Sequence, residues 1–193
     1  MLARITGTAA VTLPDHARSA SEVEDEVARQ FREQGAALYR FSRTLLRDHQ
    51  DAEDVVQETF LKLLSHLQAR GDESNLRGWL FTVAAHACRD RQRFRLRWRP
   101  WATTDEPAVA PVDAAADAEE RQMAAAALRS LPARDRLLLA LRAEGLSYRE
   151  IAATAGIHTA SVGTLLARAL QRWEQAYREH GAGRGRRLLS WRA

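Results

Sequence analysis

The sequence predicts an all-α protein built as two small helical domains joined by a flexible linker. Three observations predict it. Apolar residues recur at helical spacing along most of the 193 residues. Sustained strand-type alternation is almost absent. The helical pattern is interrupted once, by the stretch "WRPWATTDEPAVAPVDAAADAEE" at 98–120, with three prolines and six acids after Arg99. Such a stretch buries little and reads as a tether.

The elements follow in order. Ser21 to Arg47 suits one long helix with Val23, Val27, Phe31, Leu38, Phe41 and Leu45 inward. Asp51 to Gln68 suits a second, and Leu76 to Arg97 a third, about 33 Å long at ~1.5 Å per residue. Helical pattern resumes near Glu119 and runs to about His180. The expected division is a 1–21 extension, a 22–98 domain, a 99–118 acidic linker, a 119–181 domain and a basic tail at 182–193.

Composition sets limits. Hydrophobic residues make up 46%, enough for real cores. No apolar run approaches the ~18 residues of a membrane helix, and "MLARITGTAAVTLPDH" lacks the long apolar stretch of a signal peptide. A cytoplasmic protein without direct membrane insertion is expected. Cys88 is the only cysteine, so no internal disulfide forms, and the six histidines show no ligand spacing, so no metal is expected. The net charge of +4 permits a nucleic-acid partner without establishing one. Of 29 basic residues only Lys62 is lysine, a bias that genome composition alone can produce. The placement of the arginines therefore matters more than their number.

Three constellations carry functional readings. In "DAEDVVQETFLKLL" (51–64), Val56, Phe60, Leu63 and Leu67 share one helix face, while Asp51, Asp54 and Glu58 share the opposite face with Lys62. This is either an ordinary acidic solvent face, offsetting the helix dipole, or a dock for a basic protein surface. In the helix 76–97, Leu76, Leu80, Val83, Ala87 and Phe94 form a core stripe. Trp79, Thr82, His86, Arg89, Arg93 and Arg97 recur at steps of three and four on another side. An aromatic followed by guanidiniums suits a nucleic-acid track: base stacking on a ring is worth ~1–3 kcal/mol, and arginines neutralise phosphates. The alternative is a core tryptophan beside a solvated basic face.

The third constellation is "LSYREIAATAGIHTASVGTLLARAL" (146–170). Ser147 and Glu150 form a capping box. Gly156 permits a left-handed turn. Ile151, Ala152 and Ala155 pack inward, and Ile157, Val162 and Leu166 anchor a second helix that starts at His158 or Thr159 and exposes Ser161 and Thr164. This is helix-turn-helix spacing, supported upstream by "LPARDRLLLALRAEG". Two ordinary packed helices are the competing reading.

In this order, the constellations resemble the sigma-70 family of bacterial RNA polymerase initiation factors, in its short extracytoplasmic-function (ECF) form. "LYRFSRTLLRDHQDAEDVVQETFLKLL" looks like regions 2.1 and 2.2, "LRGWLFTVAAHACRDRQRFRLR" like 2.3 and 2.4, and "LPARDRLLLALRAEGLSYREIAATAGIHTASVGTLLARAL" like region 4. The resemblance spans about 22–180. It implies a specificity subunit, not an enzyme, with no catalytic residue and no cofactor. Its partners would be core RNA polymerase (the largest-subunit clamp and the flap) and promoter DNA, with an anti-sigma factor as controller and no small-molecule substrate. Asp51, Asp54, Gln57 and Glu58 would bind the clamp coiled coil. Trp79, Thr82, His86, Arg89, Arg93 and Arg97 would read and melt the −10 element, with the loop 68–75 capturing a flipped base. Arg149, His158, Thr159, Ser161, Thr164, Arg168 and Arg172 would serve the −35 element. The linker would thread the active-site cleft toward the RNA exit channel. The family often has Asn at the place of His86, and Lys and Arg at those of Gly163 and Leu165.

Two other classes compete. A dimeric stand-alone DNA regulator explains the third constellation but leaves the first two idle; a tight specific footprint without polymerase would favour it. A sigma-like decoy would bind core or a regulator without melting DNA.

Overall fold

The structure is a computed structural model that describes residues 19–46, 48–69, 71, 74–97 and 115–190, with side chains between 19 and 95 and between 119 and 180. Most of the 1–21 extension, the linker residues 99–114 and the last three residues of the tail lie outside the described residues. Seven helices and no strands occur among them: α1 (Ala20–Leu46), α2 (His49–Gln68), α3 (Leu76–Arg97), α4 (Ala115–Ser130), α5 (Ala133–Ala143), α6 (Tyr148–Ala155) and α7 (Thr159–Ser190).

Local chemistry starts the helices. The Ser19 hydroxyl accepts from the Glu22 amide at 3.2 Å while the Glu22 carboxylate accepts from the Ser19 amide at 2.7 Å, a reciprocal cap on α1. Asp48 caps α2 by accepting from the Asp51 amide at 2.9 Å. Asn75 does the same for α3 through the Gly78 amide, also at 2.9 Å. Each cap satisfies a donor that the first helical turn leaves open.

Helices α1, α2 and α3 pack around Leu38, Phe41, Val55, Leu63, Leu80, Phe81 and Ala84, all fully buried. Phe41 and Phe81 meet edge to face, 5.3 Å between centroids, the geometry that the ring quadrupoles favour. Helices α4 to α7 form a second group around Leu138, Leu141, Leu146, Ile151, Val162 and Leu166. There Trp173 Nε1 donates to the Ala124 carbonyl at 3.2 Å, tying α7 to α4.

Some expectations need correcting. Phe31 is 55% exposed and Phe94 63% exposed, although both fall on apolar stripes. Phe31 lies along the rim between α1 and α2, edge-on to Phe60. Phe94 lies beyond Gln92, whose amide already reaches the Leu45 carbonyl at the end of α1; past that point α3 overhangs the apolar core. α4 begins at Ala115, four residues before the pattern resumes, and α7 continues through 182–190. Glycine costs only ~1 kcal/mol in a helix interior, so the glycines after His180 do not end it.

Cys88 is 1% exposed. Burial pushes its thiol up to about 12, leaving almost no thiolate, the reactive form, at neutral pH. Iodoacetamide at pH 8 is therefore expected to leave Cys88 unmodified in the native protein and to modify it fully in denaturant; rapid native labelling, read by intact mass, would contradict this burial.

Candidate nucleic-acid and protein interfaces

The acids of α2 do not form one free face. Arg95 of α3 pairs with Asp51 at 2.6 Å and with Asp48 at 2.8 Å. Glu58 pairs with Lys62 at 2.7 Å and with Arg91 of α3 at 2.9 Å. Asp51 and Glu58 thus bind α2 to α3 before any partner arrives. Asp54 is half-buried and accepts from the Gln50 amide at 3.2 Å, and Gln57 is exposed. Beside Gln57 opens a groove of about 580 Å³ between α1 and α2, lined by Val27, Phe31, Tyr39, Val56, Leu61 and Leu64 among others. Leu61 is 59% exposed. Helical periodicity alone puts Phe31 in the core and offers the acids of α2 either as a solvent face or as a dock. The available signal was Leu61, an apolar residue between the apolar and acidic stripes of α2.

The paired acids make the contact between α2 and α3 acid-sensitive. The Lys62 hydrogen bond lowers the Glu58 carboxyl most, burial opposes it, and Arg91 adds to the lowering. The Asp51 amide, then the Arg95 guanidinium, lower Asp48. Depressed carboxyls contribute stability above their unfolded range, near pH 4, and lose it as pH falls through their folded values. The melting temperature is expected to hold from pH 7 to 5 and to drop below pH 4. A flat profile from pH 6 to 3 by circular dichroism would contradict these roles.

The α3 stripe is divided. His86 and Arg93 are exposed; the side chain of Arg97 lies outside the described residues. Trp79 is half-buried against the core, and one ring face is covered by His66 of α2, stacked at 4.5 Å and 26°. Nothing in the sequence of α2 alone points His66 at Trp79. Gly71 closes the stack: a Cβ there would fall 2.0 Å from the imidazole. The Thr82 hydroxyl lies 2.9 Å from the Gly78 carbonyl and 2.8 Å from the Thr154 hydroxyl of α6. Arg89 lines a cavity of about 400 Å³ shared with α5 and the turn after α6. The second helical group therefore covers part of this stripe.

The third constellation folds as a helix-turn-helix. Ser147 Oγ accepts from the Glu150 amide at 3.3 Å and the Glu150 carboxylate accepts from the Ser147 amide at 2.8 Å. Burial pushes Glu150 up, but hydrogen bonds from Ser147 and Asn75 leave it below its ordinary value. Gly156 ends α6 at φ 65°, in the left-handed region where glycine is unstrained. Val162 and Leu166 are buried, while Arg149, His158, Thr159, Ser161, Thr164 and Arg168 are exposed, so that face of α7 is open. Arg172 is exposed but committed: it pairs at 2.5 Å with Asp135, whose side chain is 7% exposed. That pair braces α5 against α7. Gly163 faces Tyr148, where a Cβ would sit 3.5 Å from Cε2, an ordinary contact.

A three-helix bundle with a basic-aromatic helix and an apolar groove, followed by a helix-turn-helix, defines a multi-helical protein with the build of a DNA-binding factor. Residues 31–99 match the family Sigma-70 region 2 and residues 121–172 match Sigma-70, region 4. The chain is 32% identical over 157 residues to the ECF RNA polymerase sigma factor SigL of Mycobacterium tuberculosis, covering 79% of this chain and 89% of that one. It is 32% identical over 165 residues to the ECF RNA polymerase sigma factor SigE of Mycolicibacterium smegmatis, covering 82% and 63%. Among solved structures it resembles the sigma factor RpoE in complex with the anti-sigma factor NepR from Bartonella quintana. That match has a TM-score of 0.69 at 26% identity and covers 80% of this chain and 98% of that one. The chain belongs to the sigma-70 family, in its ECF branch, which is not a class of enzymes.

Proposed function

We propose that this chain binds core RNA polymerase and directs it to a specific class of promoters from the cytoplasm. Residues 22–98 serve core binding and the −10 element, 119–181 serve the −35 element, and 99–118 connect them. The observation that carries the reading is one chain holding both an apolar groove beside Gln57 and an open helix-turn-helix face at His158, Thr159, Ser161, Thr164 and Arg168. A stand-alone DNA regulator needs only the second.

This geometry supports a role for each residue. Polymerase docks on the groove, with Gln57 in its lining and Asp54 one turn before it on α2; Asp51 and Glu58 position α2 through their α3 partners. His86, Arg89 and Arg93 present donors along α3, Arg97 is assigned the same role from the sequence, and Trp79 supplies a ring for an unstacked base once His66 moves aside. Arg149 and Arg168 flank the small polar residues of α7 on phosphates. The charge-poor recognition helix needs little affinity of its own, because polymerase docking tethers it near DNA and raises its effective concentration. Arg172 acts through Asp135 as a brace. RpoE is bound by NepR in its solved complex, and the structure of CnrH holds the cytosolic domain of CnrY at a TM-score of 0.61 to this chain. An anti-sigma factor is accordingly proposed as the controller here.

Trp79→Ala tests the melting role. Transcription by the holoenzyme is expected to fall at least tenfold on a duplex promoter and by less than threefold on the same promoter pre-melted as a bubble. Equal loss on both templates would show that Trp79 serves the fold and not strand separation.

A further inference from the structure

The groove between α1 and α2 has two distinct ends. Tyr39 of α1 meets His49 of α2 with 5.7 Å between ring centroids, and His49 Nδ1 lies 3.3 Å from the Glu53 carboxylate. Farther along, Phe31 meets Phe60. The two helices therefore run antiparallel, with Tyr39 and Glu53 at one end of the groove and Val27, Leu61 and Leu64 at the other. Phe31 and Leu61 leave the groove apolar and open to solvent, and exposed apolar surface of this kind marks an interaction site. The start of α1 lies close to the second end: Val27 is ~12 Å along the helix from Ser19. Residues 1–18 therefore join the fold beside the groove.

The segment "RITGTAAVTLP" (4–14) has a pattern of its own. Ile5, Gly7, Ala9, Val11 and Leu13 alternate with Arg4, Thr6, Thr8, Ala10 and Thr12. In an extended chain the first set lines one side and the second set the other. Isoleucine, valine and threonine favour that conformation, while Gly7 and Pro14 disfavour a helix. Extended at ~3.3 Å per residue, Ile5 to Val11 spans ~20 Å, against ~18 Å of α1 from Val27 to Tyr39. Residues 12–18 reach ~23 Å when extended, more than the ~12 Å reversal needs. Arg4 is the only charge between Leu2 and Pro14. With Val11 at the Val27 end, Arg4 comes to the end that holds Glu53, whose side chain is 52% exposed. We propose that residues 5–13 lie along the groove with their apolar side inward, and that core polymerase must displace them. The displacement rests on the reading of the groove as the polymerase dock. Occupancy in about four molecules of five lowers the apparent affinity about fivefold.

Two arms test it, each with the full chain. In a Cys88→Ala background, Thr8→Cys places a nitroxide label on the polar side of the segment. Nuclear magnetic resonance is expected to show the methyl signals of Val27, Leu61 and Leu64 broadened, and those of Val162 and Leu166 sharp. A mixture of spin-labelled chain with isotope-labelled chain lacking the nitroxide should show no broadening. Independently, Ile5→Ser with Val11→Ser should abolish the broadening when combined with the label. In the otherwise unaltered chain the same pair should tighten binding to core polymerase about fivefold, with the melting temperature unchanged. Sharp signals at Val27, Leu61 and Leu64 in the labelled chain would overturn the docking. Broadening in the mixture alone would give the groove to a second copy and overturn it too. Unchanged affinity of the serine variant for polymerase would overturn the displacement. If the signals broaden but no form of the chain binds core polymerase, the functional reading fails and the docking stands. If the chain binds core polymerase and the signals stay sharp, the docking alone fails.

Discussion

Leu61→Glu is expected to weaken binding to core RNA polymerase by about 30-fold or more, with helicity and melting temperature unchanged. Leu61 is 59% exposed on the groove between α1 and α2, so a glutamate there stays solvated in the free protein and costs the fold little. In a complex it would be forced into an apolar contact beside Phe31, Phe60 and Leu64. Interface anchors of this type cost 2 kcal/mol or more when disrupted. Fluorescence anisotropy of the labelled chain titrated with core enzyme reads the effect. Unchanged affinity would move the dock away from the groove and back to the remaining acids of α2.

Phe81→Ala has the largest expected effect on stability, about 3–5 kcal/mol. Phe81 is fully buried and meets Phe41 edge to face, and its neighbours on α1 and α2 cannot close the void without separating the helices. Small domains hold only ~5–15 kcal/mol in total, so the first helical group of this variant should be marginal at 37 °C. Urea unfolding followed by circular dichroism measures it. A loss under 1 kcal/mol would mean that the three helices do not share the core described above.

The legible parts of this protein are the ones encoded locally. The bounds of α3, Leu76–Arg97, follow from its apolar spacing alone. The Ser147–Glu150 box and Gly156 mark both ends of α6 within ten residues. What escaped depends on residues far apart in the chain. Asp51 and Glu58 look like a free acidic face until Arg95 and Arg91 arrive from α3. Phe31 and Phe94 lie on apolar stripes, but periodicity marks a face without saying whether a neighbouring helix reaches it. His66 covers Trp79 only because the end of α2 passes over the start of α3. The contact of Thr82 with Thr154 spans 72 residues and both helical groups, so no local pattern could foretell it.

The most direct measurement combines purified chain, core RNA polymerase and duplex promoters recovered from holoenzyme-bound DNA. Core enzyme alone should be silent, the chain alone should leave no strong footprint, and the two together should protect the −35 and −10 elements and start transcripts at one position. A strong specific footprint from the chain alone, with no binding to core enzyme under conditions where another sigma factor binds, would contradict the account.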